Sequence, residues 1–236
     1  MIRFYSPGIE QTGTLPEDES THCCRVLRMR EGDEIETVDG EGHVYRCVIT
    51  NAHPKHARVE VLERTDQPQN WRRRLTLAVA PTKNADRMEW LVEKAVEMGV
   101  NEIVLLRCEH SERRKMNTER LERIAVSAMK QSLKARLPKV SGPVDYKDFI
   151  KEHAAKREFK CFGYCSPEVE RRDFGQCCPK DGDVVVMIGP EGDFSPTEVE
   201  TAIKAGFLPV TFGTSRLRTE TAALYATAAF HVINNM

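Results

Sequence analysis

The 236-residue chain lacks several features that would place it in common protein classes. No apolar run approaches the ~20 residues that a helix needs to cross a bilayer, and the first residues carry no signal-peptide pattern. The formal net charge of -1 gives no overall bias toward a nucleic acid or a membrane surface. We therefore expect a cytoplasmic protein without membrane association, whose eight cysteines are reduced thiols.

The cysteines also lack the spacing of a metal centre. Cys161, Cys165, Cys177 and Cys178 form the densest group, but they do not make the paired C-x2-C pattern of a zinc site. Two adjacent cysteines are awkward joint ligands for one ion. We predict that the protein holds no metal, and the spacing disfavours the alternative of a zinc-dependent hydrolase.

The strongest local signal is a predicted strand that leads through a glycine turn into a helix. Residues 184–188 form a short β-branched run, typical of a strand buried on both faces. Ser195 as N-cap, Pro196 at the first helical position and Glu198 three residues after the cap predict a helix start with a capping box. In α/β sheets, ligands usually bind at such a strand's carboxyl end.

The turn at residues 189–193 lacks the motifs of phosphate-binding loops. It has neither the Lys-Ser/Thr of a P-loop nor the three-glycine spacing of a dinucleotide fingerprint. Glu191 and Asp193 place carboxylates near a helix N-terminus, where the free amides favour anions. A neutral or cationic ligand is therefore favoured over phosphate, the alternative being an ordinary turn with solvated acids.

Along the chain, the patterning predicts two domains joined by a polar linker at residues 65–70. Short strand-like runs at 2–5, 34–38, 44–50 and 58–62, with a short helix at 22–29, predict a small barrel-like module. The rest alternates strands and helices, which predicts a parallel sheet with helices on both faces. Its predicted strands are 75–80, 102–106, 160–164, 184–188 and 210–212, and its helices begin at Asn84, Asn117 or Thr118, Asp145, Ser195 and Thr219, the last as a cap.

Basic residues gather in the second half although the net charge is near zero. They are Arg107, His110, Arg113, Arg114 and Lys115 after one predicted strand, and Lys130, Lys134, Arg136 and Lys139 around the end of the long helix. This segregation predicts an RNA-facing surface. The alternative is that the lysines only complement the dipole of a helix C-terminus.

Two smaller basic clusters have a similar pair of interpretations. Arg25, Arg28 and Arg30 suit contact with phosphates or form a solvated helix face. Trp71 precedes three arginines, which suits base stacking with backbone contact or is simply a solvated run.

A second predicted strand ends in a glycine turn and a helix at residues 212–223. Together the two turns resemble the RsmE family of ribosomal RNA methyltransferases, in the SPOUT (trefoil-knotted) superfamily. The motifs are Ile188-Gly189-Pro190-Glu191-Gly192 and Leu217-Arg218-Thr219-Glu220-Thr221-Ala222, with further matches at Lys83, Arg87-Met88-Glu89, Lys94, Glu97-Met98-Gly99-Val100, His22 and Arg25-Val26-Leu27-Arg28. The chain departs from the family where Asp193 replaces a common glycine and where Lys130-Gln131-Ser132 replaces a Glu-Gln pair.

The resemblance implies an α/β fold of two parts. A PUA-like RNA-binding β-barrel at residues 1–68 precedes a knotted, parallel-sheet SPOUT methyltransferase domain at residues 73–236. It implies a homodimer that uses S-adenosylmethionine to methylate N3 of a uridine in small-subunit 16S rRNA. The alternative function is a non-catalytic RNA-binding or ribosome-assembly factor.

The resemblance also implies the site residues, and Arg218 is the expected catalytic residue. Its guanidinium would stabilise the imide anion that forms when uridine N3 loses a proton, with water or Glu220 as acceptor. The expected cofactor-binding residues are Phe162, Gly163, Tyr164, Cys165, Ile188, Gly189, Pro190, Glu191, Gly192, Phe212, Gly213, Leu217, Thr219 and Ala222. The expected RNA-binding residues are Arg25, Arg28, Arg30, Lys83, Arg87, Arg113, Arg114, Lys134 and Arg136.

Overall fold

The computed structural model describes residues 2–68 and 73–235. The chain divides into two compact units, the first made of Met1–Gln69 and Val126–Leu137 and the second of Asn70–Ala125 and Pro138–Met236. The predicted domain limits of 1–68 and 73–236 stay a prediction. Trp71 and Arg72 of the predicted aromatic and arginine cluster lie outside the described residues, and Arg73 pairs with Asp181 at 3.2 Å.

A four-stranded sheet with the order β1-β2-β3-β4 forms the frame of the first unit. The strands are Arg3–Tyr5, Glu34–Val38, His43–Asn51 and Arg58–Asp66, with β1 parallel to β2 and the other pairs antiparallel. Side chains alternate along β3, where Tyr45, Cys47 and Ile49 are buried, as a strand with one core face requires. The predicted linker at 65–70 is wrong at its start, since β4 continues to Asp66.

The helical segment between β1 and β2 begins earlier than predicted. After α1 (Ile9–Thr12), helix α2 spans Glu17–Thr21 and continues into a π-helix, His22–Val26. The acidic residues of the first turn of α2 favour a helix start there. The predicted helix over 22–29 is therefore wrong in its bounds. Arg28, which has a positive φ of 57°, lies beyond the end of the observed π-helix.

The second unit is built on a seven-stranded sheet with the order β7-β6-β5-β10-β8-β11-β9, in which all the pairs are parallel. The strands β5 to β11 are Leu75–Val79, Glu102–Arg107, Lys139–Asp145, Phe159–Gly163, Arg172–Asp173, Val184–Ile188 and Leu208–Thr211. The helices α3 to α8 are Ala85–Met98, Thr118–Gln131, Tyr146–Ala154, Phe174–Cys177, Pro196–Lys204 and Thr219–Asn235. Every residue of β5 and β10 is buried, which places these strands at the centre of the core.

Both predicted helix starts with strong caps are confirmed. The Asn84 side chain accepts a hydrogen bond from the Asp86 amide at 2.9 Å at the start of α3. At the start of α7, the Ser195 hydroxyl accepts from the Glu198 amide at 3.3 Å and the Glu198 carboxylate accepts from the Ser195 amide at 2.9 Å. This capping box fixes the direction in which the chain leaves the 189–193 turn.

Two strands of the second unit were not predicted. Strand β7 contains Ser141-Gly142-Pro143, residue types that favour a turn, but it lies at the sheet edge, where a proline costs no ladder bond. Strand β9 has only two residues and gives no periodic signal. Among the described residues, no helix is both long and apolar enough to cross a membrane.

Candidate functional site

The carboxyl ends of three neighbouring strands meet at one edge of the parallel sheet. Strand β8 lies between β10 and β11, with Gly163 opposite Ile188 on one side and Val210 on the other. A Cβ atom added to Gly163 would lie 2.7 Å from Cε2 of Phe212, so only glycine lets the chain after β11 approach β8 this closely. The three predicted walls of the cofactor pocket therefore meet.

A side-chain hydrogen bond joins the two motif loops. The Thr219 hydroxyl donates to the Gly189 carbonyl at 3.1 Å, and both residues are buried. The prediction of Thr219 as a helix cap is wrong, because it is the first residue of α8 and its hydroxyl is used across the site. This bond ties residues that are 30 positions apart in the chain.

Asp193 links the 189–193 turn to the end of β8. Its φ is 63°, in the left-handed region where glycine is unstrained and aspartate is among the better tolerated residues. One carboxylate oxygen accepts from the Cys165 amide at 3.0 Å, and the other accepts from its neighbour, the Phe194 amide, at 2.9 Å. Asp193 therefore fits the place of the family's glycine and adds a contact that glycine cannot make.

Glu191 and Lys83 connect the same turn to the segment after β5. The Glu191 carboxylate accepts from the Lys83 amide at 2.9 Å, and the Lys83 carbonyl accepts from Nε and Nη2 of Arg113 at 3.1 and 2.7 Å. The Lys83 ammonium pairs with Glu112 at 3.0 Å, and this hydrogen bond raises its pKa. Lys83 and Arg113, two predicted RNA contacts, thus lie beside the predicted cofactor loop.

Arg218 and Glu220, at the start of α8, differ in their exposure to solvent. Arg218 is exposed, whereas Glu220 is only 6% exposed. Glu220 has one carboxylate oxygen 3.8 Å from Nε of Arg87, and the other has no hydrogen-bond partner among the described residues. A buried carboxylate with a free oxygen is costly, so this region holds an acceptor that a ligand or water can use.

The remaining predicted cofactor residues differ in exposure. Phe162 is 1% exposed and its ring packs edge-on against Phe194, with 5.8 Å between centroids. Tyr164, Pro190 and Ala222 are also buried, Leu217 is half-buried, and Cys165, Gly192 and Gly213 are exposed. Desolvation by burial, with the charge of Asp193 adding to it, raises the pKa of Cys165, so this thiol stays protonated near neutral pH.

His110 contributes to the site in a way that the sequence did not indicate. Its Nδ1 lies 3.1 Å from the Gly192 carbonyl and 3.0 Å from the Asp193 carbonyl. The sequence places His110 only among the basic surface residues, because no local pattern relates residues separated by 82 positions. The segment after β6 therefore supports the 189–193 turn from outside.

Five of the predicted RNA-binding residues belong to the first unit. They are Arg25, Arg28, Arg30, Lys134 and Arg136. The three arginines near the π-helix are exposed, and π-helical turns and left-handed residues such as Arg28 are frequent at functional sites. Arg136 is exposed and bridges to Gly40 and Glu41, so it belongs to the turn between β2 and β3.

Lys130, which departs from the family pattern, has a structural partner. Its ammonium makes an ion pair with Glu19, a carboxylate that is only 4% exposed. The sequence placed Lys130 on the presumed RNA side. In the first unit it instead neutralises a buried acid.

Within the described residues, one group brings three potential metal ligands together, namely Asp39, Glu41 and His43. The Asp39 carboxylate is already occupied, since it accepts from the Glu41 and His43 amides and lies 2.5 Å from Nδ1 of His43. These contacts explain the group as a stabilised turn.

Comparison with known proteins identifies the family. An RNA methyltransferase domain model matches residues 69–231, and an RNA methyltransferase PUA domain model matches residues 15–62. Ribosomal RNA small subunit methyltransferase E of Mesomycoplasma hyopneumoniae is 30% identical over 95% of this chain and 96% of its own length. The chain belongs to the ribosomal RNA small subunit methyltransferase E (RsmE) family. The Bacillus subtilis protein of the same name is 27% identical over 97% of this chain and 93% of its own length.

Solved structures of RsmE-like proteins agree with this assignment. The crystal structure of a "probable rRNA-methyltransferase" from Porphyromonas gingivalis is 46% identical, with a TM-score of 0.93 and coverage of 99% of this chain and 98% of that one. RsmE of Neisseria gonorrhoeae, solved bound to S-adenosyl methionine, is 30% identical with a TM-score of 0.87 and the same coverage. The predicted fold, a PUA-like domain before a SPOUT methyltransferase domain with a parallel sheet, is confirmed.

Proposed function

We propose that this protein transfers a methyl group from S-adenosylmethionine to N3 of a uridine in the 16S rRNA of the small ribosomal subunit. Membership of the RsmE family supports the activity, and a relative solved with S-adenosyl methionine supports the donor. The observation that carries the proposal is the Thr219–Gly189 hydrogen bond, which brings the two motif loops into one site.

The residues around this site fit the proposed methyl donor. The 188–193 segment offers apolar side chains, backbone groups and two carboxylates, and Gly213 has open space where a side chain would be. Such a set suits an uncharged nucleoside with a sulfonium group attached to it better than a phosphate. Ile188, Gly189, Phe212, Leu217 and Thr219 would hold S-adenosylmethionine, which supplies a methyl group on a positively charged sulfur.

Arg218 and Glu220 would handle the acceptor base. Uridine N3 carries a proton in its ordinary form, so the protein must favour the imide anion. The exposed guanidinium of Arg218 would stabilise that charge without taking the proton, because arginine stays protonated. The proton would pass to water or to Glu220, whose free carboxylate oxygen is a suitable acceptor once the site opens.

The RNA would contact basic side chains of both units, in addition to Arg218. Arg25, Arg28 and Arg30 would supply phosphate contacts from the PUA-like unit, and Lys83 and Arg87 would supply them beside the cofactor loops. We also propose a cytoplasmic location, where an rRNA substrate is available.

A homodimer is part of the proposal. In the second unit, α3 packs against α8, and these helices expose Trp90 at 47%, Tyr225 at 46% and Val232 at 56%. Exposed large apolar side chains of this kind are typical of a surface that another protein covers. A second copy of the chain is the proposed partner for this face.

Methyl transfer to undermodified small subunits tests the activity. The protein is incubated with subunits that lack the modification and with donor labelled in its methyl group, and the RNA is digested for nucleoside analysis. Label on uridine N3 is expected, and label elsewhere or none would contradict the proposal. Calorimetry with S-adenosylmethionine adds a second result, since a protein without donor binding would be the non-catalytic RNA-binding factor.

A further inference from the structure

A cavity of about 490 Å³ lies at the same edge of the sheet as the cofactor loops but at the carboxyl ends of other strands. The segments after β6 and β7 and the first turns of α7 line it, and Cys108 and Tyr146 are buried in its wall. Its volume falls within the roughly 300–1,000 Å³ of small-ligand sites. No residue of this cavity other than Arg114 belongs to the predicted site.

Some charged groups of the cavity are already satisfied by the protein. Arg107 makes two hydrogen bonds to Asp145 at 2.8 and 2.6 Å. The Glu198 carboxylate accepts from the Glu109 amide at 2.8 Å and from the Ser195 amide at 2.9 Å. These groups shape the cavity and leave little capacity for a ligand.

Other charged groups of the cavity make no hydrogen bond to a described residue. Among the described residues, the exposed side chains of Arg114 and Lys147 have no hydrogen-bond or ion-pair partner. The carboxylates of Glu109 and Asp148 likewise accept no hydrogen bond from a described residue. Arg114 still interacts through its charge with Asp145, and Asp148 with Arg107, but neither makes a hydrogen bond there. The cavity thus offers two cations and two carboxylates with unused hydrogen-bonding groups, a set that a simple anion would not satisfy.

A ribonucleotide satisfies such a set. Its phosphate matches Arg114 and Lys147, and its ribose hydroxyls and base N–H groups are donors to Glu109 and Asp148. We propose that the cavity binds one nucleotide of the substrate RNA other than the uridine that is methylated. This inference rests on the proposed function.

The cavity is connected to the cofactor loop through one segment. Four residues of the 107–114 segment line the cavity, namely Arg107, Cys108, Glu109 and Arg114. In the same segment, Nδ1 of His110 contacts the carbonyls of Gly192 and Asp193. Glu198 joins the same segment to the start of α7. RNA held in the cavity therefore fixes the segment that supports the turn beside the proposed donor.

Two variants test the cavity by independent means. The double variant Arg114→Gln with Lys147→Gln removes the two cations, and Thr201→Trp fills the cavity without changing its charge. Lys151→Gln is the matched control, because Lys151 is an exposed lysine of α5 that does not line the cavity. Binding of undermodified 16S rRNA is measured over a salt series, with thermal unfolding as a check on folding.

Both test variants are expected to bind the RNA about 10-fold more weakly, with a salt slope reduced by about one to two for the double variant only. Donor affinity from calorimetry should match that of the unchanged protein. Full RNA affinity in a folded Thr201→Trp variant would overturn the proposal, even when the unchanged protein methylates its substrate. If the unchanged protein transfers no methyl group to its substrate, that result would instead contradict the proposed function.

A competition experiment identifies the source of the nucleotide. Uridine and adenosine 5′-monophosphates are titrated against the protein–RNA complex. If the mononucleotides displace RNA from the unchanged protein but not from Thr201→Trp, the result would support a nucleotide site that RNA occupies. Binding of free mononucleotides to the cavity with no effect on RNA would overturn the assignment to the substrate.

Discussion

Arg218 directly precedes α8 and Glu220 lies on its first turn, and their opposite exposures suit different tasks. The exposed guanidinium is available to an incoming base, whereas the buried carboxylate faces Arg87 and has one oxygen without a partner. In the proposed mechanism, charge stabilisation by Arg218 and proton acceptance by water or Glu220 are thus separate tasks. This separation lets the arginine be tested without changing the acceptor.

Arg218→Ala is expected to lower turnover by about 10²–10³-fold, the usual cost of removing one group that stabilises a developing anion. Donor affinity should change little, because the Arg218 side chain is exposed and makes no hydrogen bond or ion pair with a described residue. Single-turnover methylation and calorimetry measure the two quantities. Arg216→Ala, at an exposed neighbour, is the control, and equal turnover in both variants would remove Arg218 from catalysis.

Asp193 combines a left-handed backbone with two hydrogen bonds from its side chain. Asp193→Gly should relieve the backbone but release the Cys165 amide, at a net cost of about 1 kcal/mol for the lost hydrogen bond. We expect donor affinity to fall by about 5-fold in calorimetry. Asp193→Asn keeps one carbonyl oxygen as acceptor, and its donor affinity should lie between those of the parent and of Asp193→Gly. An unchanged affinity in Asp193→Gly would show that the contact does not shape the pocket.

The Lys130–Glu19 pair is a stability test at a single residue. Lys130→Ala leaves the Glu19 carboxylate buried without a partner, which costs about 3–5 kcal/mol in comparable buried pairs. Urea unfolding of the whole chain measures the loss. The double variant Lys130→Met with Glu19→Gln removes both charges and should recover most of it. Equal instability of the single and double variants would contradict an electrostatic cause.

At the scale of elements, local sequence predicted what local physics determines. Caps and periodicity located α3 and α7, since Asn84, Ser195 and Glu198 act on amides within three residues of themselves. Strand β7 was not predicted because its glycine and proline contradict strand propensity, and only its position at the sheet edge makes them tolerable. Elements are thus predictable where their cause is local and unpredictable where the sheet overrides propensity.

The capping box of α7 also gives a prediction about this element. Ser195→Ala removes the acceptor for the Glu198 amide and should cost about 1 kcal/mol of unfolding free energy. Thr197→Ala, an exposed change in the same turn, is the control and should stay within about 0.5 kcal/mol of the parent. Thermal unfolding measures both. A Ser195 variant as stable as the control would mean that the box is redundant with packing.

At the scale of the whole molecule, the candidate site depends on contacts between distant segments. The two motif loops could be recognised from sequence, but their meeting through Thr219 and Gly189 required the sheet order to place β10 and β11 on either side of β8. The support from His110 and the pairing of Lys130 with Glu19 have no local signal either. Sequence therefore reveals the motif loops but not the contacts between distant segments that hold them together.

Assembly gives the last test, because the proposed dimer covers the face of α3 and α8. Trp90→Glu places a charge on that face, and burying an unpaired charge against a second copy is unfavourable by several kcal/mol. Sedimentation should then show a monomer where the parent is a dimer, and methyl transfer should fall with it. Ile203→Glu, on α7 with a similar exposure of 44%, is the control and should leave the mass unchanged. A Trp90→Glu protein with the parent's mass would show that α3 lies outside the interface.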